Sequence, residues 1–350
     1  MGNFLIINAG STSIKYKVFD EQENLLFENK IEDVEDYEQA FKQLLRQIIN
    51  LGEIKAVGHR VVHGGGVFYE PILIDENSIQ ELEKFNDLAP LHNPYNILGI
   101  KTAMSYMQDI KQIAVFDTAF YHHMPEIAKI YALPKEITEK YKLYRYGFHG
   151  TSHEYVMNEA ALQLGKKVEK SNLITCHLGG GCSVTAIKNG QAIETTMGYT
   201  PSEGLVMMSR SGDVDPGVIL KLVEILPGEI NQQKVDAVQD LINHDSGIKG
   251  LVEGVENFKE LISQMSSGKT DATKAFDLFI YRLIKAISFY WFLLEGKVDA
   301  IVFTGAIGAG NPITRETVKK KLKFLGMVPV LAIKTDEELL ILRKIKSLLK

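Results

Sequence analysis

The chain has 350 residues, of which 45% are hydrophobic and 24% charged. That length and balance suit a globular protein of two domains and exclude a disordered or fibrous chain. A net charge of −5 argues against a nucleic-acid partner. Two cysteines, Cys176 and Cys182, argue against a disulfide framework and for a reducing compartment. The N-terminus enters a strand at once without a leader pattern, and the longest apolar stretch, near Ile287–Leu294, is too short to span a bilayer. The expectation is a cytoplasmic enzyme without a membrane partner.

In chain order, Phe4–Ile7 is a continuous apolar run, Lys15–Phe19 alternates, and Leu25–Phe27 follows a polar turn, so three strands open the chain. Tyr37–Leu51 has helical spacing. Lys55–Val62 is a buried strand running into His63-Gly64-Gly65-Gly66. Helices are expected over Ile79–Phe85 and, after Asn93-Pro94, over Tyr95–Met107. Gln112–Phe116 is a short strand ending at Asp117. A polar hinge with two glycines, Tyr144–His153, precedes a helix over Ser152–Leu164. A strand, glycine turn and alternating strand then recur from Leu173 to Gly190. Asp215-Pro216 reads as an N-cap with proline in the first turn of the helix Gly217–Leu226. Ala272–Leu294 reads as a long buried helix and Asp299–Phe303 as a strand entering the loop Gly305–Gly310. The pattern closes with a basic helix Thr314–Leu325, a strand Val328–Ile333 and a helix Thr335–Leu349.

The strand-rich opening thus occurs twice, which predicts a duplicated α/β architecture with a cleft between the halves. Each copy has a turn of small residues, Gly10-Ser11-Thr12-Ser13 and Gly179-Gly180-Gly181. Such turns expose backbone N–H groups and hydroxyls that suit phosphate oxygens. Phosphoryl transfer is the chemistry they point to.

Other residues carry both a chemical and a structural reading. Arg60, at a strand end beside glycines, suits a bidentate anion or a structural bridge. His92 suits a helix cap. Asp117, just past a buried strand, could hold a metal or order a nucleophile, or could cap its loop. His149 lies between two glycines, where it could donate to charge on a transferring group. His153 falls in the first turn of the next helix. Arg210 lies in a polar loop ahead of a helix and could clamp an anion together with Arg60. Thr335 and Glu338 have capping-box spacing, which leaves Glu337 free for a metal or for solvent.

Eight motifs, in this order, resemble those of the acetate/propionate kinase family. They are Asn8-Ala-Gly-Ser-x-Ser-x-Lys15, His59-Arg-Val-Val-His-Gly-Gly65, Ala89-Pro-Leu-His-Asn-Pro94, Val115-Phe-Asp-Thr-Ala-Phe120, Tyr146-Gly-Phe-His-Gly-Thr-Ser-His153, Cys176-His-Leu-Gly-x-Gly181, Thr200-Pro-x-Glu-Gly-Leu205 and Thr335-x-Glu-Glu-Leu339. The resemblance implies a duplicated actin-like, ribonuclease-H-like α/β kinase fold with two domains. On it, residues 1–149 plus 339–350 would form the first domain, with the returning terminal helix. Residues 150–338 would form the second, with the nucleotide site. A homodimer is implied as well.

Carried over by position, the resemblance makes Asp117, His149 and Arg210 catalytic. It assigns acetate or acetyl phosphate to Arg60 and a small apolar pocket of Val62, Leu91, Phe148 and Pro201. ATP or ADP falls to Lys15, Ser11, Ser13, His177, Gly179, Gly180, Gly181, Asn257, Phe258, Lys259, Ala306, Ile307, Gly308, Ala309 and Gly310. Mg²⁺, with Mn²⁺ as an alternative, falls to Asn8 and Glu337. The implied reaction is reversible in-line transfer from ATP to acetate.

The donor side departs from the family pattern. Gly180 replaces an Asn, Asn257-Phe258-Lys259 stands for Asp-Phe-Arg, and Gly305-Ala-Ile-Gly-Ala-Gly310 stands for Gly-Gly-Ile-Gly-Glu-Asn. The stretch from that loop to Thr335 is also shorter than the family's. These changes leave open an acyl kinase with another donor, such as pyrophosphate, or a weakly active relative with a binding role. Retention of the acyl-side and transition-state residues favours the enzyme.

Overall fold

A computed structural model describes residues 2–10, 13–90, 92–326 and 328–350. Ser11 and Leu91, assigned above to nucleotide and acetate, lie outside the described residues. The chain divides into two compact units: 1–122, 148–155 and 336–350 form the first, and 123–147 and 156–335 the second. Relative to the sequence-based limits, 123–147 joins the second unit, while 150–155 and 336–338 join the first.

The first unit is built on six strands, β1 (Asn3–Ala9), β2 (Ile14–Phe19), β3 (Leu25–Ile31), β4 (Ile54–Val61), β5 (Ile72–Leu73) and β6 (Lys111–Phe116). Their order is β3-β2-β1-β4-β6-β5. β1, β2 and β3 form an antiparallel meander, and β4 and β6 run parallel to β1. The centre of β1, Phe4–Ile7, is apolar throughout because both faces are covered. Leu5 and Ile7 point to the face packed by Phe41, Leu44 and Ile48 of the helix Tyr37–Ile48. Phe4 and Ile6 point to the opposite face, against Ile341, Leu342 and Ile345 of the terminal helix Glu337–Leu348. This alternation places the end of the chain beside its beginning.

The second unit repeats the plan. Its strands are β7 (Leu173–Leu178), β8 (Cys182–Lys188), β9 (Gln191–Thr195), β10 (Ala300–Thr304) and β11 (Val330–Ala332), in the order β11-β10-β7-β8-β9. Again the first three are an antiparallel meander, and the last two run parallel to the first of them. The duplicated α/β plan read from the sequence is therefore present.

Three local expectations are corrected. The terminal helix is capped by Asp336, whose carboxylate accepts from Leu339 N, so Thr335 and Glu338 form no capping box. Asp at 336 competes successfully for the cap position and shifts the helix start by one residue. The helix Thr270–Leu293 buries Phe276, Phe279, Leu283 and Ile287 on one face but leaves Tyr281, Phe289 and Phe292 exposed. Its apolar composition concealed an amphipathic placement. The helices Gln232–His244 and Phe258–Ser266, capped by Asn231 and Asn257, were not anticipated.

Candidate active site

In the first unit, functional side chains gather where the parallel strands β1, β4 and β6 end. Ligands of open α/β sheets bind there because loops diverge from the carboxyl ends of strands. Asn8 comes from β1, Arg60 from β4, and Asp117 from the residue after β6. Arg60 Nη2 donates to Asp117 Oδ2 at 2.5 Å, and Nε reaches both carboxylate oxygens at 3.1 and 3.2 Å. Arg60 Nη1 points to Asn8 Oδ1 at 3.4 Å, and Glu337 Oε2 lies 3.7 Å from Nε. Asp117 is 1% exposed and also accepts from Thr151 Oγ1 at 2.6 Å. Asp117 is thus a charged hydrogen-bond hub rather than the loop cap that was its structural alternative.

Backbone shape fixes His149 against this group. A side chain on Gly150 would place Cβ 1.8 Å from the Asp117 carbonyl oxygen, so only glycine allows the approach. His149, the preceding residue, adopts a left-handed φ of 58° and opens the helix Gly150–Gln163. Strained backbone of this kind needs the surrounding structure to hold it. Val62 and Phe148 are buried nearby, Phe148 packing 5.8 Å from the His63 ring. Sequence reasoning missed the two asparagines that hold the strand ends. Asn93 exchanges hydrogen bonds with the backbone of His63, while Asn96 accepts from Val62 N and donates to Ala9 O. Their signal was a polar pair at helical spacing, inside and just after the His92 motif.

The charges around Arg60 are unequal. Burial disfavours the Arg60 cation, but Asp117 and Glu337 more than restore it. Burial pushes the Glu337 carboxyl above the usual carboxylate range; Arg60 opposes this, while Asp117 and Glu338 add like charge. Beside it, Glu338 is buried between Lys15 at 2.9 Å and Lys17 at 3.3 Å, and Lys17 also reaches Asp336 at 2.8 Å. Burial works against the Glu338 carboxylate, yet the two lysines hold it below the usual range. Lys15, expected at a phosphate, is therefore ion-paired within the unit.

A hard divalent cation takes oxygen ligands, usually one or two carboxylates completed by phosphate and water. Asn8 and Glu337 offer such oxygens, and the excess of carboxylates around Arg60 would be relieved by a cation, so the donor set fits. Among the described residues no three His, Cys, Asp or Glu groups form a metal cluster, so the protein's own share would be partial.

In the second unit, β7 ends at Leu178 and Gly179–Gly181 turns the chain into β8, with Gly179 N donating to Gly181 O. Met208 N donates to Gly180 O at 3.3 Å, which ties the Arg210 loop to this turn. Arg210 Nη1 donates to Pro201 O at 3.2 Å. Burial lowers the Arg210 pKa, and no carboxylate among the described residues offsets the cost. Gly305, at φ 79°, brings the next loop onto β7, since a Cβ there would lie 2.4 Å from Leu178 O. The structure thus brings together His177–Gly181, Pro201, Arg210 and Ala306–Gly310. Arg315, not anticipated, ties down this last loop by donating to Gly308 O and Ala309 O at 2.7 and 2.6 Å.

Asn257, Phe258 and Lys259 stand apart in character. Asn257 Oδ1 accepts from Lys259 N and Glu260 N as a helix cap, and Phe258 packs 5.5 Å from Phe279. Asn257 and Lys259 are exposed, and only Phe258 is buried.

Two copies of one mixed sheet, the first with charged groups and the second with glycine turns at its parallel strand ends, define an actin-like kinase fold. A ROK family protein from Streptococcus pneumoniae shares that fold at 13% identity and a TM-score of 0.51, with 99% of this chain and 98% of that one covered. The chain belongs to the acetokinase family, whose model matches residues 22–344. It is 39% identical to acetate kinase of Thermotoga maritima, over 99% of this chain and 98% of the relative. That alignment runs over 405 positions against 350 residues here, so this chain lacks internal stretches of its relative. Two solved structures agree at 33% identity. The acetate kinase of Porphyromonas gingivalis has a TM-score of 0.92 with 100% of both chains covered. A propionate kinase from Francisella tularensis has a TM-score of 0.91, with 98% of this chain and 99% of that one covered.

Proposed function

We propose that the protein transfers a phosphoryl group reversibly between ATP and acetate, forming acetyl phosphate and ADP. The observation that carries this reading is the buried Arg60–Asp117 pair, with Asn8 and Glu337 gathered at the same strand ends. Phosphoryl transfer requires mainly positioning and charge stabilisation, and this group supplies both.

Asp117, held by Thr151, fixes the Arg60 guanidinium, which leaves Nη1, with only its long 3.4 Å contact to Asn8, as the donor for an acyl or phosphoryl oxygen. The family resemblance assigns the acetate methyl to Val62, Leu91, Phe148 and Pro201; one additional methylene is worth only about 1–3 kcal/mol, so propionate is a secondary substrate. An acetate oxygen attacks the terminal phosphorus in line. His149 and Arg210 donate to the equatorial oxygens, and Arg210 is suited because burial without a carboxylate leaves its charge for the substrate. Asn8 and Glu337 would hold Mg²⁺ or Mn²⁺, which when bound neutralises phosphate charge. Lys15, Ser11 and Ser13, the glycine turn His177–Gly181, Asn257–Lys259 and the loop Ala306–Gly310 receive the nucleotide. The enzyme acts in the cytoplasm as a homodimer. No helix among the described residues is long and apolar enough to cross a membrane.

The test is acetyl phosphate formation from acetate and Mg²⁺ with ATP, GTP or pyrophosphate as donor. Turnover with ATP supports the reading despite Gly180, Ala306 and Ala309. Activity confined to pyrophosphate would replace the donor, and no activity with any donor would overturn the proposal.

A further inference from the structure

A cavity of about 380 Å³ lies within the second unit, lined on one side by the helix Thr270–Leu293. None of the phosphoryl-transfer residues lines it. Arg282, Lys285 and Phe289 recur at helical spacing and face it together. Opposite charge comes from Glu194 at the end of β9, from Glu203 and from Asp213, whose Oδ1 already accepts from Gly204 N. Its size is that of a small-molecule site.

The charges in this cavity are paired incompletely. Arg145 joins Glu203 and reaches Glu194 at 3.4 Å, while Tyr131 donates to Glu203. Glu203 is thereby satisfied twice. Glu194 receives Thr195 N and Arg145 on Oε1 alone, and its Oε2 takes no hydrogen bond among the described residues. Burial raises the Glu194 carboxyl, and Glu203 adds to this, against Thr195 N and Arg145. On the helix side, Arg282 Nε is buried with no hydrogen-bond partner among the described residues. Neither Arg282 nor Lys285 enters an ion pair there; the pairs of this wall belong to Arg145. Leaving a buried guanidinium N–H unsatisfied is costly, whereas Glu194 Oε2 stays open to a donor entering the cavity.

An anion and a cation therefore line one cavity without meeting, and apolar Ile130, Leu205 and Phe289 line the same space. A ligand carrying both charges and an apolar body would satisfy all three features. We propose that this cavity is a second ligand site, separate from the phosphoryl-transfer residues, for an α-amino acid with an apolar side chain. The ligand carboxylate meets the guanidinium fork of Arg282, with Lys285 adding charge. The ammonium meets Glu194 Oε2, and the side chain lies on Leu205 and Phe289. A site built on buried polar groups rejects analogues that lack either charge, because the corresponding protein group stays unpaired.

The experiment is calorimetric titration of the whole protein with L-leucine and L-phenylalanine. The comparison ligands are 4-methylpentanoate, which lacks the amine, and 3-methylbutylamine, which lacks the carboxylate. The expected result is saturable one-site binding of at least one amino acid and binding weaker by about tenfold or more for each analogue. Arg282→Ala and Glu194→Gln should each reduce amino-acid affinity by about tenfold or more. Acetyl phosphate formation by both variants should match the parent, which verifies folding independently of the second site. Arg282→Lys keeps the charge without the fork and should give an intermediate affinity. Absence of amino-acid binding at millimolar concentration overturns the proposal, as does binding that survives Arg282→Ala. Equal binding of 4-methylpentanoate would make this a plain carboxylate site. A change in solution mass on Arg282→Ala would assign the arginine to a contact with a second copy.

Discussion

Replacing Glu338 by Gln tests how the terminal helix is held beside the candidate metal ligand Glu337. The Glu338 side chain is 2% exposed and sits 2.9 Å from Lys15 and 3.3 Å from Lys17. At an effective dielectric constant of about 20, a pair at the longer distance attracts by about 5 kcal/mol before desolvation is counted. Removing one partner of a buried pair generally costs about 3–5 kcal/mol because the other charge stays behind. Two features reduce that figure here. Lys17 keeps Asp336 at 2.8 Å, and the Lys15 side chain, 46% exposed, can return to water. Glutamine also retains a hydrogen-bonding oxygen. The expected loss is therefore about 2 kcal/mol at pH 7, from the lower end of that range. The lysines hold the folded Glu338 carboxyl below its usual range against the effect of burial. Its contribution is then fully present above the unfolded value of about 4.3 and is lost as pH falls through the lower folded value. Urea unfolding of both proteins across this range should show a gap at pH 7 that closes on the acid side. A gap absent at pH 7, or one that widens with acid, would refute the argument that the lysines outweigh burial.

Two further outcomes follow from the same charges. Arg210→Ala should lower kcat by about 100-fold or more with little change in the KM for acetate, since its interaction belongs to the transition state; steady-state kinetics with an unchanged kcat would remove Arg210 from the mechanism. Glu337→Gln should lose Mg²⁺-dependent turnover yet gain about 1 kcal/mol of stability at neutral pH, because the carboxylate is partly buried beside Asp117. The folded Glu337 value is raised, so the wild-type contribution is full below about pH 4.3 and is lost as pH rises through the folded value. The gain of the Gln variant should therefore grow with pH, and a variant less stable at pH 7.5 would show that Arg60 dominates.

The sequence by itself determined most of the architecture, because period-2 and period-3.6 patterns report burial directly. The apolar run at Phe4–Ile7 required a strand covered on both faces, and the repeated strand-turn-strand unit required two similar sheets. Arg60, Asp117 and His149 were legible as candidates because each stands at a strand end or between glycines. The sequence could not decide partnership. Asp117 meets Arg60 across 57 positions of chain, and Lys17 meets Glu338 across 321, through packing of the terminal helix on the sheet. Local spacing assigned Glu338 to a helix cap, whereas the fold enclosed it between two lysines. The same limit hid the exposed face of Thr270–Leu293, since composition reports apolarity but not which neighbours exist to cover it. Burial, ion pairing and the close approach of Gly150 to Asp117 depend on distances that only chain folding creates.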